Sequence, residues 1–170
     1  MRKSFIIAVC MLLGTAAWGQ SAIKDIVAII RGEDVISCSY SYTMRGSMPL
    51  KLSGTAEMKG HMYHTTADGG LETFSDGTTC WVVDRKAKEV LISPAGESMV
   101  SRIDEYIPYV HISHFDGKSL SCTIVRKDQD IDIDFSASGI TLAEPSSSDD
   151  SRFVFDVSTL DSSWLVTDLR

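Results

Sequence analysis

Cysteine and proline are both scarce, at four residues each in a chain of 170. Cys10 falls inside the N-terminal apolar run, so a processed chain keeps Cys38, Cys80 and Cys122. Three thiols cannot all pair within one chain, which excludes a small scaffold built only on disulfides. One disulfide plus one thiol and three buried thiols both stay open, and the simpler reading is small apolar core residues. Basic charge is also in short supply: 16 Lys and Arg stand against 23 Asp and Glu, a formal net charge of −7. No basic cluster stands out, so nucleic acid is not an expected partner. No Ser-centred nucleophile elbow appears, and the glycines form no phosphate loop. The chain reads as a non-enzyme without a cofactor.

The N-terminus has the layout of a secretory signal peptide. Arg2 and Lys3 precede the uncharged run Phe5–Leu13, and Ala17-Trp18-Gly19 offers small residues where a signal peptidase reads. The run is short for a membrane span. Residues 1–19 are therefore expected to be a cleaved leader, and residues 20–170 one domain long enough for its own core. No later run is long and apolar enough to span a bilayer, so the exported chain is expected to be soluble and somewhat more acidic than the precursor.

Periodicity gives an α+β outline. Residues 22–31, AIKDIVAIIR, space Ile23, Ile26, Val27 and Ile30 as one face of a short helix ending at Gly32. Residues 35–44 alternate Ile36, Cys38, Tyr40, Tyr42 and Met44 against Ser37, Ser39, Ser41 and Thr43. Residues 50–58 alternate Leu50, Leu52, Gly54, Ala56 and Met58 against Lys51, Ser53, Thr55 and Glu57. Gly46–Pro49 links the two. Strands are also expected at 61–66, 71–75, 79–84 and 89–93, making an antiparallel meander. A helix over 97–107 interrupts it, with Met99, Val100, Ile103, Tyr106 and Ile107 on one side. Strands return at 119–126, 130–135, 139–143, 151–157 and 163–168, and 146–150 reads as an exposed loop.

One strand breaks the alternation. In FSDGTTCWVVDRKAKEVLI (74–92), Asp76-Gly77 signals a hairpin turn, because a tight turn between twisted strands needs positive φ. Cys80-Trp81-Val82-Val83 then is apolar at every position, although successive strand residues face opposite ways. It is a two-sided core strand, the wall of an apolar cavity, or an oligomer interface. The histidine pairs His61/His64 and His111/His114 have metal-like spacing, but three residues apart on a strand diverge, and only the second pair could converge, with Asp116. Asp128, Asp130, Asp132 and Asp134 alternate as one solvated strand face rather than a calcium loop. No metal is expected.

The stretch SDGTTCWVVDRKAKEVLI resembles the central signature of the outer-membrane lipoprotein carrier proteins (LolA-like), through Asp76, Gly77, Trp81, Asp84 and Val90. GTAEMKG (54–60) resembles the start of that family's sheet, and FVFDVSTLDSSWLVTDLR resembles the close of its shorter members in Bacteroides-type bacteria. The family's lid arginine has no counterpart near Tyr63, and the stretch after Pro108 is shorter than in the family. The resemblance implies an incomplete, half-open antiparallel β-barrel whose helices cover an apolar concave face. It implies a monomeric periplasmic carrier in a Gram-negative bacterium that shields lipoprotein acyl chains, or another lipid, on the way to the outer membrane. Its partners would be an inner-membrane lipoprotein-releasing transporter and an outer-membrane acceptor. Candidate cavity residues are Tyr40, Tyr42, Leu52, Met58, Met62, Phe74, Trp81 and Val83, with Asp76, Gly77 and Asp84 as the structural motif. The alternative is an exported interaction module that reuses the same fold without a lipid.

Overall fold

The computed structural model describes residues 21–46, 49–96, 99–144 and 150–170, with the side chains of 99–102 outside the described set. The expected leader, Ser47 and Met48 of the Gly46–Pro49 link, the start of the expected 97–107 helix and nearly all of the 146–150 loop lie outside the described residues. Helix α1 (21–30) is followed by strands β1 (Val35–Arg45), β2 (Leu50–Lys59), β3 (Met62–Ala67), β4 (Leu71–Ser75), β5 (Thr79–Asp84) and β6 (Glu89–Pro94). Helix α2 (Met99–Tyr106) runs into a 3-10 turn at Ile107–Tyr109, and then come β7 (Val110–Phe115), β8 (Ser119–Arg126), β9 (Ile131–Ala143) and β10 (Leu165–Asp168). All ten strands join one sheet, ordered β10-β6-β5-β4-β3-β2-β1-β9-β8-β7. It is mixed, because β10 runs parallel to β6 while the other pairs are antiparallel. The sheet is not closed into a barrel: β10 and β7 are its two ends. A large sheet with two short helices is an α+β architecture.

Aspartates start the hairpins. Asp76 Oδ1 accepts from the Thr78 and Thr79 N–H groups at 2.8 and 2.7 Å, and Gly77 beside it takes φ +86°. Asp84 Oδ1 accepts from Lys86 and Ala87 N–H, both at 2.9 Å. Asp116 Oδ1 does the same for Lys118 and Ser119 at 2.9 and 2.6 Å. A carboxylate that satisfies two backbone donors fixes the turn, and the turn fixes the register.

Register then sorts the side chains. Residues directly opposite in an antiparallel pair share a face. Ile36 lies opposite Met58, Met58 opposite Tyr63, Tyr63 opposite Ser75, and Ser75 opposite Cys80. These define face A. Ser37, Glu57, His64, Phe74, Trp81 and Ile92 form the matching row on face B.

The dense core is on face B, at the β4–β6 end. Phe74, Trp81, Val83, Val90 and Ile92 are buried there with Phe155, and Val157, Leu160 and Trp164 pack against them. The cover is not a helix. It is the segment 150–164, mostly irregular with short 3-10 turns, whose Phe153 is wholly buried. Phe155 tilts onto Phe74 with ring centroids 5.3 Å apart, and Arg85 lies 5.6 Å above the Phe155 ring. Lys59 pairs with Asp150 at 2.8 Å, and Arg152 approaches Glu57 at 3.6 Å.

Three elements differ from the expected outline. Residues 151–157 alternate like a strand, but they form the 3-10 cover, because Phe153 and Phe155 insert as anchors and Asp156 turns the chain by accepting from Ser158 N–H. Val110–Phe115 is a strand that the pattern hides, since His111, Ser113 and His114 interrupt its apolar positions. The expected strands 130–135 and 139–143 are one strand with a bulge: β9 gains a residue against β1 between the Ser37 and Ser39 pairs, and Gly139 supplies φ +63° there.

Gly54 is the tightest point in the sheet. A Cβ built on it would sit 1.7 Å from the Thr66 carbonyl oxygen, a backbone atom that cannot step aside cheaply. A Cβ on Gly77 would have ordinary room beside His61, so its constraint is φ alone. Gly54→Ala is therefore expected to lower unfolding free energy by roughly 3 kcal/mol, and Gly77→Val by about 1–2 kcal/mol. Urea titration of the two variants gives the order; a Gly54→Ala protein as stable as the parent would contradict the close strand approach.

Candidate functional site

The eight nominated cavity residues do not line one surface. Tyr40, Tyr42, Leu52 and Met58 are on face A, with Tyr42 directly opposite Leu52. Phe74, Trp81 and Val83 are on face B inside the dense core, and Met62, opposite Lys59, is on face B as well. The single cavity wall expected through Trp81 is corrected accordingly. Strand β5 is apolar on both sides because Trp81 and Val83 feed the core while Cys80 and Val82 point to face A. Asp76, Gly77 and Asp84 are turn-formers, as their hydrogen bonds show.

Face A is apolar across the other half of the sheet. Tyr42 lies opposite Phe135, Met44 opposite Ile133, and these in turn opposite Cys122 and Ile124. Val110 and Ile112 continue the row on β7. Sequence reading nominated none of Phe135, Ile133, Ile124 or Ile112, although their alternation with Asp132, Asp134 and Thr123 carried the signal. Ile36, Cys122 and Ala137 are buried, but Tyr40, Tyr42, Leu52, Met58, Phe135, Ile133 and Ile124 are only half-buried. The Tyr40 and Tyr42 rings stack at 6.4 Å, and Tyr40 OH donates to the Thr66 carbonyl at 3.2 Å. The helical segment meets this face at Arg126, which register places opposite Ile131. Its guanidinium sits 5.2 Å from the Tyr109 ring and 6.0 Å from the Tyr106 ring. Arg31, just after α1, bonds Asp104 of α2 at 2.6 Å, tying the two helices together.

Face B over the same strands is a hydroxyl surface. Ser41 meets Ser136 at 2.9 Å, Thr55 meets Thr66 at 2.7 Å, and Thr123 donates to Asp134 at 3.3 Å. Arg45 pairs with Asp132 and Asp134 on β9, whereas Asp128 lies in the 3-10 turn Lys127–Gln129 and Asp130 follows it with φ +53°, so only the second half of the acidic alternation is a strand face. Two open depressions lie here, of about 350 and 270 Å³, the first lined by Ser37, Ser39, Thr55, Glu57 and His64, the second by Ser41, Thr43, Thr123, Asp134 and Ser136. Cys38 and Ala56 also line the first and Cys122 and Phe135 the second, so both hollows are open and mixed in polarity rather than closed apolar pockets. His64 stacks on Phe74 at 4.0 Å, with Nε2 3.5 Å from Glu72. The bonded Arg85 guanidinium holds the Glu72 carboxyl below its ordinary range. Among the described residues, no group of three or more His, Cys, Asp or Glu is placed to hold a metal ion.

The three thiols are free, with Cys122 buried and Cys38 and Cys80 half-buried. Burial raises the Cys38 and Cys122 thiols above their usual range, which keeps them in the unreactive form. Small Ser75 lets Tyr63 reach over β4 to Cys80, with OH 3.8 Å from Sγ.

No protein-family model and no curated protein matches the sequence.

Tyr63 gives a pH test of this arrangement. Burial, then the Cys80 contact, pushes its phenol up to about 12. A raised folded value means the unfolded chain ionises first, near 10. The contribution is complete below that pH and disappears as pH rises to about 12. Tyr63→Phe is expected to flatten the loss of stability over that window. An unchanged alkaline denaturation profile would show that Tyr63 is exposed.

Proposed function

We propose that the protein is an exported lipid carrier that shields lipoprotein acyl chains, or a similar lipid, on face A. In this reading the open sheet acts as a half-barrel, with α1 and α2 as its movable cover. The observation that carries it is the split between the faces. The 150–164 segment covers the buried cluster on face B, whereas face A, apart from the buried Ile36, Cys122 and Ala137, keeps a run of aromatic and aliphatic side chains half-buried. Such a surface gains by taking up hydrocarbon. Burying a methylene is worth roughly 0.8 kcal/mol, so one long acyl chain carries on the order of 11 kcal/mol. A carrier of this kind needs apolar area and a cover that opens, and no catalyst. The resemblance at Asp76, Gly77, Trp81 and Asp84 supports the same reading, with those residues as scaffold rather than as contacts to cargo. The acyl chain comes from a lipoprotein released at the inner membrane and is delivered to an outer-membrane acceptor.

A fluorescent long-chain fatty acid tests the assignment of face. Tyr42→Glu puts an unpaired charge against hydrocarbon and is expected to weaken probe binding at least tenfold. Ser39→Glu, exposed on face B, is expected to leave it unchanged. Trp81 emission should stay insensitive to the probe, because its ring lies in the opposite core. Equal loss in both Glu variants, or no saturable binding by the parent, would overturn the carrier reading and leave the interaction module.

A further inference from the structure

Among the described residues, the open sheet ends in two strands whose outer backbone groups pair with no further strand, β7 and β10. Strand β7 is guarded. It has a bulge between Ile112 and His114 and exposes His111, Ser113 and His114. Strand β10 has no bulge, and beside Thr167 and Asp168 it presents apolar side chains. All its residues are exposed, with Leu165 at 60%, Val166 at 42% and the following Leu169 at 61%. Its bonds to β6 decide which groups point outward. Leu165 N–H donates to the Lys88 carbonyl at 2.9 Å and Leu169 N–H to the Ile92 carbonyl at 2.8 Å. By alternation the N–H and C=O of Val166 and Asp168 turn away from the sheet. Arg170 N–H is already taken by Asp168 Oδ1 at 3.0 Å.

We propose that β10 pairs antiparallel with β10 of a second copy of this chain, about a two-fold axis through Thr167. This goes beyond the carrier reading and does not rest on it. Directly opposite residues exchange both backbone bonds only where their groups point at each other. Val166 must then bond Asp168 of the second copy, and symmetry gives the reverse. Leu165 falls opposite Leu169 of the second copy on face A, and Thr167 opposite Thr167. The neighbouring registers fail. One sets Asp168 against Asp168 and needs the Arg170 N–H; the other needs the Trp164 N–H, which donates to the Asp161 carbonyl at 3.2 Å. Charge agrees with self-pairing. The chain is acidic overall, yet here Arg170 Nη2 lies 2.7 Å from Asp168, and that bond holds the Asp168 carboxyl down to about 2. The joining edge therefore meets its copy with a neutralised pair, and an isologous contact of this kind closes at two copies. The proposal is a dimer where the resemblance implies a monomer.

Sedimentation equilibrium of the purified protein is expected to give a two-chain mass that dissociates on dilution. Val166→Pro removes an outward N–H and keeps every bond to β6, so it should yield a monomer whose melting temperature equals that of the parent diluted to single chains. Leu165→Lys with Leu169→Lys, which alters no backbone bond, should also yield a monomer. Thr167→Cys lies on the axis, about 4.5–5.5 Å between Cβ atoms, and should cross-link under mild oxidation, while the unsubstituted protein and Lys118→Cys should not. A one-chain mass at every concentration, a dimer that survives both edge variants, or Thr167→Cys cross-linking no faster than Lys118→Cys would overturn the proposal.

Discussion

The structure depends on the seating of the 150–164 segment, through Phe155 against strands β4–β6 and the wholly buried Phe153 two residues before it. Five of the six buried residues in that cluster come from the sheet, and Phe155 supplies the sixth from a segment with little regular structure. A segment like this cannot hold itself in place through a helical or strand ladder. Burying one large apolar side chain is worth roughly 1.5–3 kcal/mol, whereas partly exposed ion pairs such as Lys59–Asp150 and Arg152–Glu57 are worth about 0–1 kcal/mol. The aromatic anchors therefore fix the segment, and the ion pairs set where it crosses β2. Its own turns repeat the device used in the hairpins: Asp156 caps Ser158 and Asp161 caps Ser163. The chain then arrives beside β6, where β10 adds in parallel.

That arrival explains why the sheet is mixed. An antiparallel addition to β6 would follow from a hairpin, but α2 and three more strands intervene. The chain returns only after crossing face B, and by then it runs in the direction of β6. Trp164 ends the crossing packed on the core, and Leu165 N–H makes the first bond to Lys88. The strand that results is short and fully exposed. The core and the open edge are thus two consequences of one path.

Much of this was legible in the residues. The alternation of β1 and β2, the Asp76-Gly77 hairpin and the Arg85–Lys88 turn follow from period and turn chemistry. What failed was parity. Cys80-Trp81-Val82-Val83 carries no alternation, so it cannot report which face Trp81 takes, and a one-residue slip would reverse the answer. The answer is set elsewhere, by the loop lengths that place Phe74 opposite Trp81 and His64 opposite Phe74. Counting across those turns links Trp81 to Glu57 and Ser37 rather than to Leu52 and Met58. The 150–164 cover was hidden for a different reason. FVFDV has strand periodicity, and only tertiary packing shows that its two phenylalanines are anchors. The gap read between strands 130–135 and 139–143 is instead a bulge at Gly139, because a glycine with positive φ can bend a strand without ending it.

The division of labour between the faces bears on how a carrier could work. If the only densely packed residues also bound the cargo, each loading cycle would disturb the core, and in a marginally stable fold that cost is prohibitive. Here Phe74, Trp81, Val83, Val90 and Ile92 lie beneath one cover on face B, while Tyr42, Phe135, Ile133 and Ile124 lie on face A, near helices tied at Arg31–Asp104 and at Arg126. These ties are an exposed ion pair, worth about 1 kcal/mol or less, and cation–π contacts of the largely buried Arg126, worth roughly 1–2 kcal/mol each. A cover held this lightly can shift while the aromatic anchors stay seated. In the proposed carrier, the resembling residues Asp76, Trp81 and Asp84 then belong to the half of the sheet that must not move, and the cargo surface is read from the less specific alternation of β1, β2, β8 and β9.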